Sequence, residues 1–249
     1  MKKRRWFSLF LSFALLLPLF SLTSADAYED FTLDAKAGLL IEADTGEILY
    51  EKNAHQENYP ASLTKVMVAL LVFEAIDEGK IALTDSVTAT ESAFEGLSSD
   101  GSTANIVPGE TMTVEQLLNC MLIVSANEAC NILGETLYGS VDAFVARMNE
   151  RAAELGCEHT HFANATGLHN SQHYTTAWDL YLITREALKH DKFMEICNSK
   201  SYTVPATNMT DKPRELHSTN FLISNWRARG YVYRDAQGIK TAFCHQSGS

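Results

Sequence analysis

The sequence predicts an α/β protein in which one lobe is assembled from both ends of the chain and a helical lobe is inserted between them. Short strand-like runs stand near the start, between Leu39 and Glu51, and return after Lys200. The long middle stretch reads instead in helical periods. A hydrophobic content of 46% supplies apolar material for one sizeable core. The α/β lobe is expected over 28–88 with 195–249, and the helical lobe over 89–194.

Leu39 to Ala43 and Glu47 to Glu51 are β-type runs joined by Asp44-Thr45-Gly46, a hairpin signal. After Pro60, the residues Val66, Ala69, Leu70 and Phe73 fall at i, i+3, i+4 and i+7, so a helix is expected with Ser62 in its first turn. Lys65 then lies one turn above Ser62 on the same face, and Gly79 with Lys80 marks the stop. Residues 94–109 are rich in Gly, Ser, Asn and Asp and read as a loop. Thr113 with Gln116 forms a capping-box pattern for a helix striped by Leu117, Met121 and Val124. That helix ends at Ser125-Ala126-Asn127, and two more are expected, to about Tyr138 and from Val141 to Leu155. After a loop over 164–175, Thr176 with Asp179 caps a helix whose Leu180, Ile183 and Ala187 face inward. Extended pieces are expected at 202–204, 231–233 and 238–243.

Residues 1–27 read as a cleavable export signal. Lys2, Lys3, Arg4 and Arg5 precede an apolar run from Trp6 to Phe20, and Ala25-Asp26-Ala27 offers small residues for cleavage before Tyr28. The run falls short of the ~20 residues needed to span a bilayer, so secretion is expected, with no membrane attachment encoded once the signal is removed. The net charge of −11 disfavours nucleic acid as a partner. Five cysteines without a Cys-x-x-Cys clip read as buried thiols. His159, His161, His169 and His173 sit in a polar loop without helical ligand spacing, which argues against a metal site, and no cofactor is implied.

Three short patterns follow one another: Ser62-Leu63-Thr64-Lys65, Ser125-Ala126-Asn127 and Lys240-Thr241. Each is weak alone, whereas the ordered trio is the signature of serine β-lactamases and penicillin-binding proteins. Further matches are Asp44-Thr45-Gly46-Glu47-Ile48-Leu49-Tyr50, Gly109-Glu110, Thr166-Gly167-Leu168, the run from His173 to Leu180, and Gly238-Ile239. From about Ala37 to Gly248 the chain resembles the D-alanyl-D-alanine carboxypeptidase family of low-molecular-weight penicillin-binding proteins. The resemblance implies a β-lactamase/transpeptidase-like fold, an antiparallel sheet flanked by helices. It also implies a secreted serine peptidase that removes the terminal D-alanine from peptidoglycan stem pentapeptides ending in D-Ala-D-Ala, and that β-lactams acylate.

On this resemblance Ser62 is the nucleophile. A serine hydroxyl needs a positioned base, and Lys65 can serve if burial and a second cation such as Lys240 lower its pKa. Ser125 relays a proton to the leaving amine, and Asn127 holds substrate and steadies Lys65. Lys240 and Thr241, expected on an edge strand, bind the terminal carboxylate. The backbone N–H groups of Ser62 and Phe243 form the oxyanion hole. The stretch 162–166 carries no acid that could activate a deacylating water, so penicillin is expected to stay bound. Two positions depart from the family pattern: Ala242 replaces a glycine and Cys244 a threonine. The added methyl of Ala242 is expected to crowd the cleft. The family's further strands and closing helix are expected to be missing after Ser249, which leaves a non-catalytic penicillin-binding sensor or a truncated pseudoenzyme as alternatives, and a class A β-lactamase as a less favoured one.

Overall fold

The computed structural model describes residues 33–242. The expected export signal at 1–27, Phe243 and Cys244 lie outside them. Contacts divide the chain into Met1–Ala35, of which only 33–35 are described, and the unit from Lys36 onward. The account below concerns the second unit.

β1 (Gly38–Ile41) and β2 (Ile48–Lys52) pair antiparallel, as the hairpin signal requires. The Glu42 carboxylate closes the connection by accepting from the Thr45 N–H and hydroxyl, each at 2.6 Å. After Pro60, the residues Ala61–Thr64 make a 3-10 turn that runs straight into α1 (Lys65–Asp77). Ser62 therefore sits in the tighter turn ahead of the α-helix. The expected apolar stripe understates α1, because every residue from Lys65 to Phe73 is buried. α1 is the central helix, packed against α2 (Val114–Ile123), α3 (Asn127–Tyr138), α4 (Val141–Glu154) and α5 (Ala177–Ala187). Each fully buried Leu, Val or Phe in such a helix contributes about 1.5–3 kcal/mol.

The capping signals act as read. The Thr113 hydroxyl accepts from the Gln116 N–H at 3.2 Å and the Gln116 side chain accepts from the Thr113 N–H at 2.9 Å. The Thr176 hydroxyl accepts from the Asp179 N–H at 3.0 Å. Of the inward set on α5, Ile183 and Ala187 are buried while Leu180 is half-buried.

The extended piece expected at 202–204 is present as a strand, whereas the strands at 86–88, 111–113 and 214–217 and one helix lie beyond the sequence reading. β3 (Ser86–Thr88) pairs with β4 (Thr111–Thr113), and β5 (Ser201–Val204) with β6 (Arg214–His217). α6 (Asp191–Cys197) precedes β5 and packs on α2. β5 and β6 also pack on α2, whereas β1 packs on α5. The α/β class with antiparallel strands is as expected. The strand positions at 231–233 and 238–242 need correction: both segments are irregular. Tyr231, Val232 and Tyr233 are exposed, so β-forming side chains there have no packing to reward extension. Residues 238–242 are held by side chains instead of a ladder. Asn198 Oδ1 accepts from the Gly238 N–H at 2.6 Å, and the Asn220 side-chain amide donates to the Gly238 carbonyl at 2.9 Å. No helix among the described residues is long and apolar enough to cross a membrane.

Candidate active site

The Lys65 side chain is wholly buried, with 0% of its surface exposed. Its amine is therefore held by the protein alone. Nζ lies 3.2 Å from Ser62 Oγ, donates to Asn127 Oδ1 at 2.8 Å and donates to the Thr166 carbonyl at 2.6 Å. Ser125 Oγ lies 2.9 Å from Ser62 Oγ and donates to it. One turn of a 3-10 helix, the first residue of α1, the turn between α2 and α3, and the 164–168 loop thus meet at one hydroxyl and one amine.

Local backbone places these groups. Ser125 follows the end of α2 with φ +68, a conformation that costs a non-glycine residue about 1–3 kcal/mol and persists where its surroundings enforce it. Ala61, beside Ser62, is also left-handed at φ +47. Asn127 is fixed by its N–H, which donates to the Ser102 carbonyl at 2.9 Å. In the facing loop, Asn164 Oδ1 accepts from the Thr166 N–H and hydroxyl (3.1 and 3.0 Å) and from the Gly167 N–H (2.8 Å). That turn aims the Thr166 carbonyl at Lys65. Gly167 has φ +84, and a Cβ there would stand 1.9 Å from the Ala61 carbonyl oxygen, so only glycine fits.

Burial biases the Lys65 amine toward its neutral form relative to a free lysine. Burial holds its pKa below the ordinary 10.5, against the opposing influence of Cys130 and Glu128. Burial pushes the Cys130 thiol up to about 11, so it stays uncharged at neutral pH. The Glu128 carboxylate is occupied elsewhere, accepting from the Thr103 hydroxyl at 2.7 Å and the Ala104 N–H at 2.8 Å. Lys240 is lowered to about 7 by burial and by the nearby charge of Lys65. The second cation is therefore close, yet its Nζ donates to the Thr241 carbonyl at 2.8 Å, and no hydrogen bond joins it to Ser125 among the described residues. Thr241 shares a 2.6 Å hydrogen bond with the Thr219 hydroxyl, and the Thr219 N–H reaches the Ile123 carbonyl near the end of α2.

Of the six side chains picked out from the sequence, four form one hydrogen-bonded group: Ser62, Lys65, Ser125 and Asn127. Lys240 is near enough for Lys65 to lower its pKa but is not among the influences on Lys65, and Thr241 is held by Thr219. The edge strand expected to carry the last two is replaced by the tethered segment described above.

Sequence reading missed the Thr166 carbonyl as a lysine anchor, although Thr166-Gly167-Leu168 stood out as a motif. His173, which falls in the matched run from His173 to Leu180, has a structural role here. The His173 ring is buried and its pKa pushed down to about 4, by burial first and then by His161 and Lys65. Its Nδ1 accepts from the Ala163 N–H at 3.2 Å, which leaves the proton on Nε2 to donate to the Thr64 hydroxyl at 2.8 Å. That bond secures the turn carrying Ser62.

Beside the group opens a cleft of about 460 Å³, lined by Ser62, Gly101, Asn127, Gly167, Leu168 and Arg227 among others. A buried amine with a lowered pKa, 3.2 Å from a hydroxyl at the edge of a cleft, can take that hydroxyl's proton as it attacks a carbonyl. The second hydroxyl, of Ser125, can pass the proton onward. Glu128 is buried and held, so it is not placed to activate a water at Ser62.

Comparison with known proteins gives the same picture. The family model described as D-alanyl-D-alanine carboxypeptidase (Peptidase_S11) matches residues 23–249. The curated D-alanyl-D-alanine carboxypeptidase DacF of Bacillus subtilis is 39% identical over 210 residues, covering 84% of this chain and 51% of that protein. The D-alanyl-D-alanine carboxypeptidase DacC of Escherichia coli is 32% identical over 201 residues, covering 79% and 50%. The chain therefore spans about half the length of these relatives. Among solved structures, a point mutant of the Streptomyces K15 DD-transpeptidase superposes with a TM-score of 0.76 at 29% identity, over 86% of this chain and 83% of the other. Penicillin-binding protein 5 from Haemophilus influenzae gives 0.71 at 29% identity, over 79% and 55%.

Proposed function

The chain belongs to the D-alanyl-D-alanine carboxypeptidase family, and from that premise we propose that it is a serine D,D-carboxypeptidase acting on peptidoglycan stem peptides that end in D-Ala-D-Ala. The observation that carries this reading is the hydrogen-bonded group of Ser62, Lys65, Ser125 and Asn127 around one buried amine.

The substrate's terminal carboxylate meets Lys240 and the Thr241 hydroxyl, an ion pair supported by a hydrogen bond. Its penultimate carbonyl lies over Ser62, and the developing oxyanion is assigned, by the family resemblance, to the backbone N–H groups of Ser62 and Phe243. Neutral Lys65 takes the Ser62 proton during attack. Ser125 hands a proton to the departing D-alanine amine, and an acyl-enzyme on Ser62 remains. Water then hydrolyses the ester. β-Lactams present a carboxylate and a strained amide in the same relation and acylate Ser62, and without an acid aimed at the ester the adduct persists. In this reading residues 1–27 direct export and are removed, residues 28–249 carry the two-lobed catalytic domain, and the protein works in the cell envelope.

The test uses the purified chain with a fluorescent penicillin and, separately, with diacetyl-Lys-D-Ala-D-Ala. Persistent labelling lost on Ser62→Ala, together with release of D-alanine, is the expected result. Labelling without release assigns a penicillin-binding sensor, rapid loss of label a β-lactamase, and no labelling a pseudoenzyme.

A further inference from the structure

The cleft beside Ser62 is lined by Asn127, Gly101, Leu168 and Arg227, and Ser125, Lys240 and Thr241 are outside its lining. On the reading above, the terminal carboxylate of the substrate is taken by Lys240 and Thr241. The cleft therefore receives the other side of the scissile bond, the acyl part of the peptide. This inference rests on that reading.

Two charged side chains line the cleft, Asp100 and Arg227. Asp100 is engaged by the Ser98 hydroxyl. Arg227 is exposed and has no hydrogen bond or ion pair with any described residue. The backbone that carries it is nevertheless anchored. Ile223 and Ser224 are buried, the Ser224 hydroxyl accepts from the Trp226 N–H at 3.3 Å, and the Trp226 ring stacks on His217 with centroids 3.7 Å apart. His217 ends β6, so the guanidinium is offered from a braced base and not from a loose tip. In a chain of net charge −11, a cleft-lining cation with no partner among the described residues is not explained by a generally basic surface. A guanidinium there matches a planar anion, above all a carboxylate, which it can hold through two parallel hydrogen bonds.

We propose that Arg227 is a specificity residue that binds a carboxylate on the acyl part of the stem peptide, upstream of D-Ala-D-Ala. The preferred substrate class is a stem whose side chain next to the dipeptide ends in a carboxylate. A side chain ending only in an ammonium group meets a like charge and is disfavoured.

Two synthetic peptides decide the matter: Nα,Nε-diacetyl-Lys-D-Ala-D-Ala, whose side chain is neutral, and Nα-acetyl-Nε-succinyl-Lys-D-Ala-D-Ala, which adds a carboxylate. The wild type is expected to favour the succinyl peptide in kcat/KM by about fivefold or more, the upper range for a partly exposed ion pair, with most of the difference in KM. Added salt shrinks that preference. Arg227→Ala brings the ratio to about one, Arg227→Lys keeps part of it, and Arg227→Glu inverts it. An unchanged ratio in Arg227→Glu overturns the proposal. If neither peptide is hydrolysed, the carboxypeptidase reading fails, and the ratio is then read from competition of the same peptides against fluorescent penicillin at Ser62. Competition that ignores the side-chain charge overturns the Arg227 assignment, and competition that follows it supports the assignment independently of turnover.

Discussion

Replacing Gly167 by alanine tests how tightly two loops define the site. The added Cβ would stand 1.9 Å from the Ala61 carbonyl oxygen and 2.3 Å from its carbon. Carbon and oxygen without a strong bond rest at about 3.3 Å or more, so the two loops must part by roughly 1.4 Å. One loop holds the peptide unit leading into Ser62, and the other holds the Thr166 carbonyl 2.6 Å from Lys65 Nζ. A recoil of that size breaks the lysine's anchor and shifts it from its 3.2 Å approach to Ser62. A misplacement of about 1 Å at a reacting centre costs on the order of a hundredfold in rate. The backbone at φ +84 adds about 1 kcal/mol of conformational cost. Gly139→Ala is the control: its φ is +80 but a Cβ there meets nothing within 4 Å, so it carries the backbone cost without the collision. The assay is the rate of Ser62 acylation by benzylpenicillin, followed by mass spectrometry, with thermal melting alongside. Gly167→Ala should acylate about a hundredfold more slowly, and Gly139→Ala should lose only stability. Equal acylation rates in the two variants would refute the geometric reasoning.

Ala242→Gly removes the methyl that departs from the family pattern, and peptidase kcat/KM should rise by up to about tenfold, the equivalent of about 1.4 kcal/mol of relieved crowding; a fall or no change shows that the methyl does not obstruct the cleft. Arg214→Ala leaves the buried Glu110 carboxylate, 2.9 Å from Arg214, without its cation. Stability should drop by about 3 kcal/mol in denaturant unfolding, and pairing the change with Glu110→Gln should recover part of the loss. For pH, Lys240 holds the substrate carboxylate only when protonated, and its pKa is lowered to about 7. Peptidase kcat/KM should therefore decline as pH rises through that region, mostly through KM, and a profile flat from about 6 to 9 assigns carboxylate binding elsewhere.

Local signals in this sequence were reliable where chemistry is local. The turn at Asp44-Thr45-Gly46, the reciprocal cap of Thr113 and Gln116 and the cap by Thr176 all depend on residues three or fewer apart, and each appears as read. The meeting of Ser62, Lys65, Ser125 and Asn127 was legible only through the motif order, since no periodicity spans the 63 positions between the serines. Three things were illegible for physical reasons. β3 and β4 are three residues each, with only Val87 and Met112 turned inward, too little for an alternating pattern. Tyr231 to Tyr233 carry strand propensity, yet no partner strand packs on them in the described residues. Lys65 is anchored by a backbone carbonyl, and a carbonyl is present at every position, so no residue type could announce it.

Direct titration of the lysine amines bears hardest on the account. In intact protein carrying 13C at lysine Cε, the Lys65 resonance, assigned by comparison with Lys65→Arg, should titrate below the ordinary 10.5 and Lys240 near 7. A Lys65 amine that keeps its proton up to the ordinary lysine value would contradict its role as the base that activates Ser62.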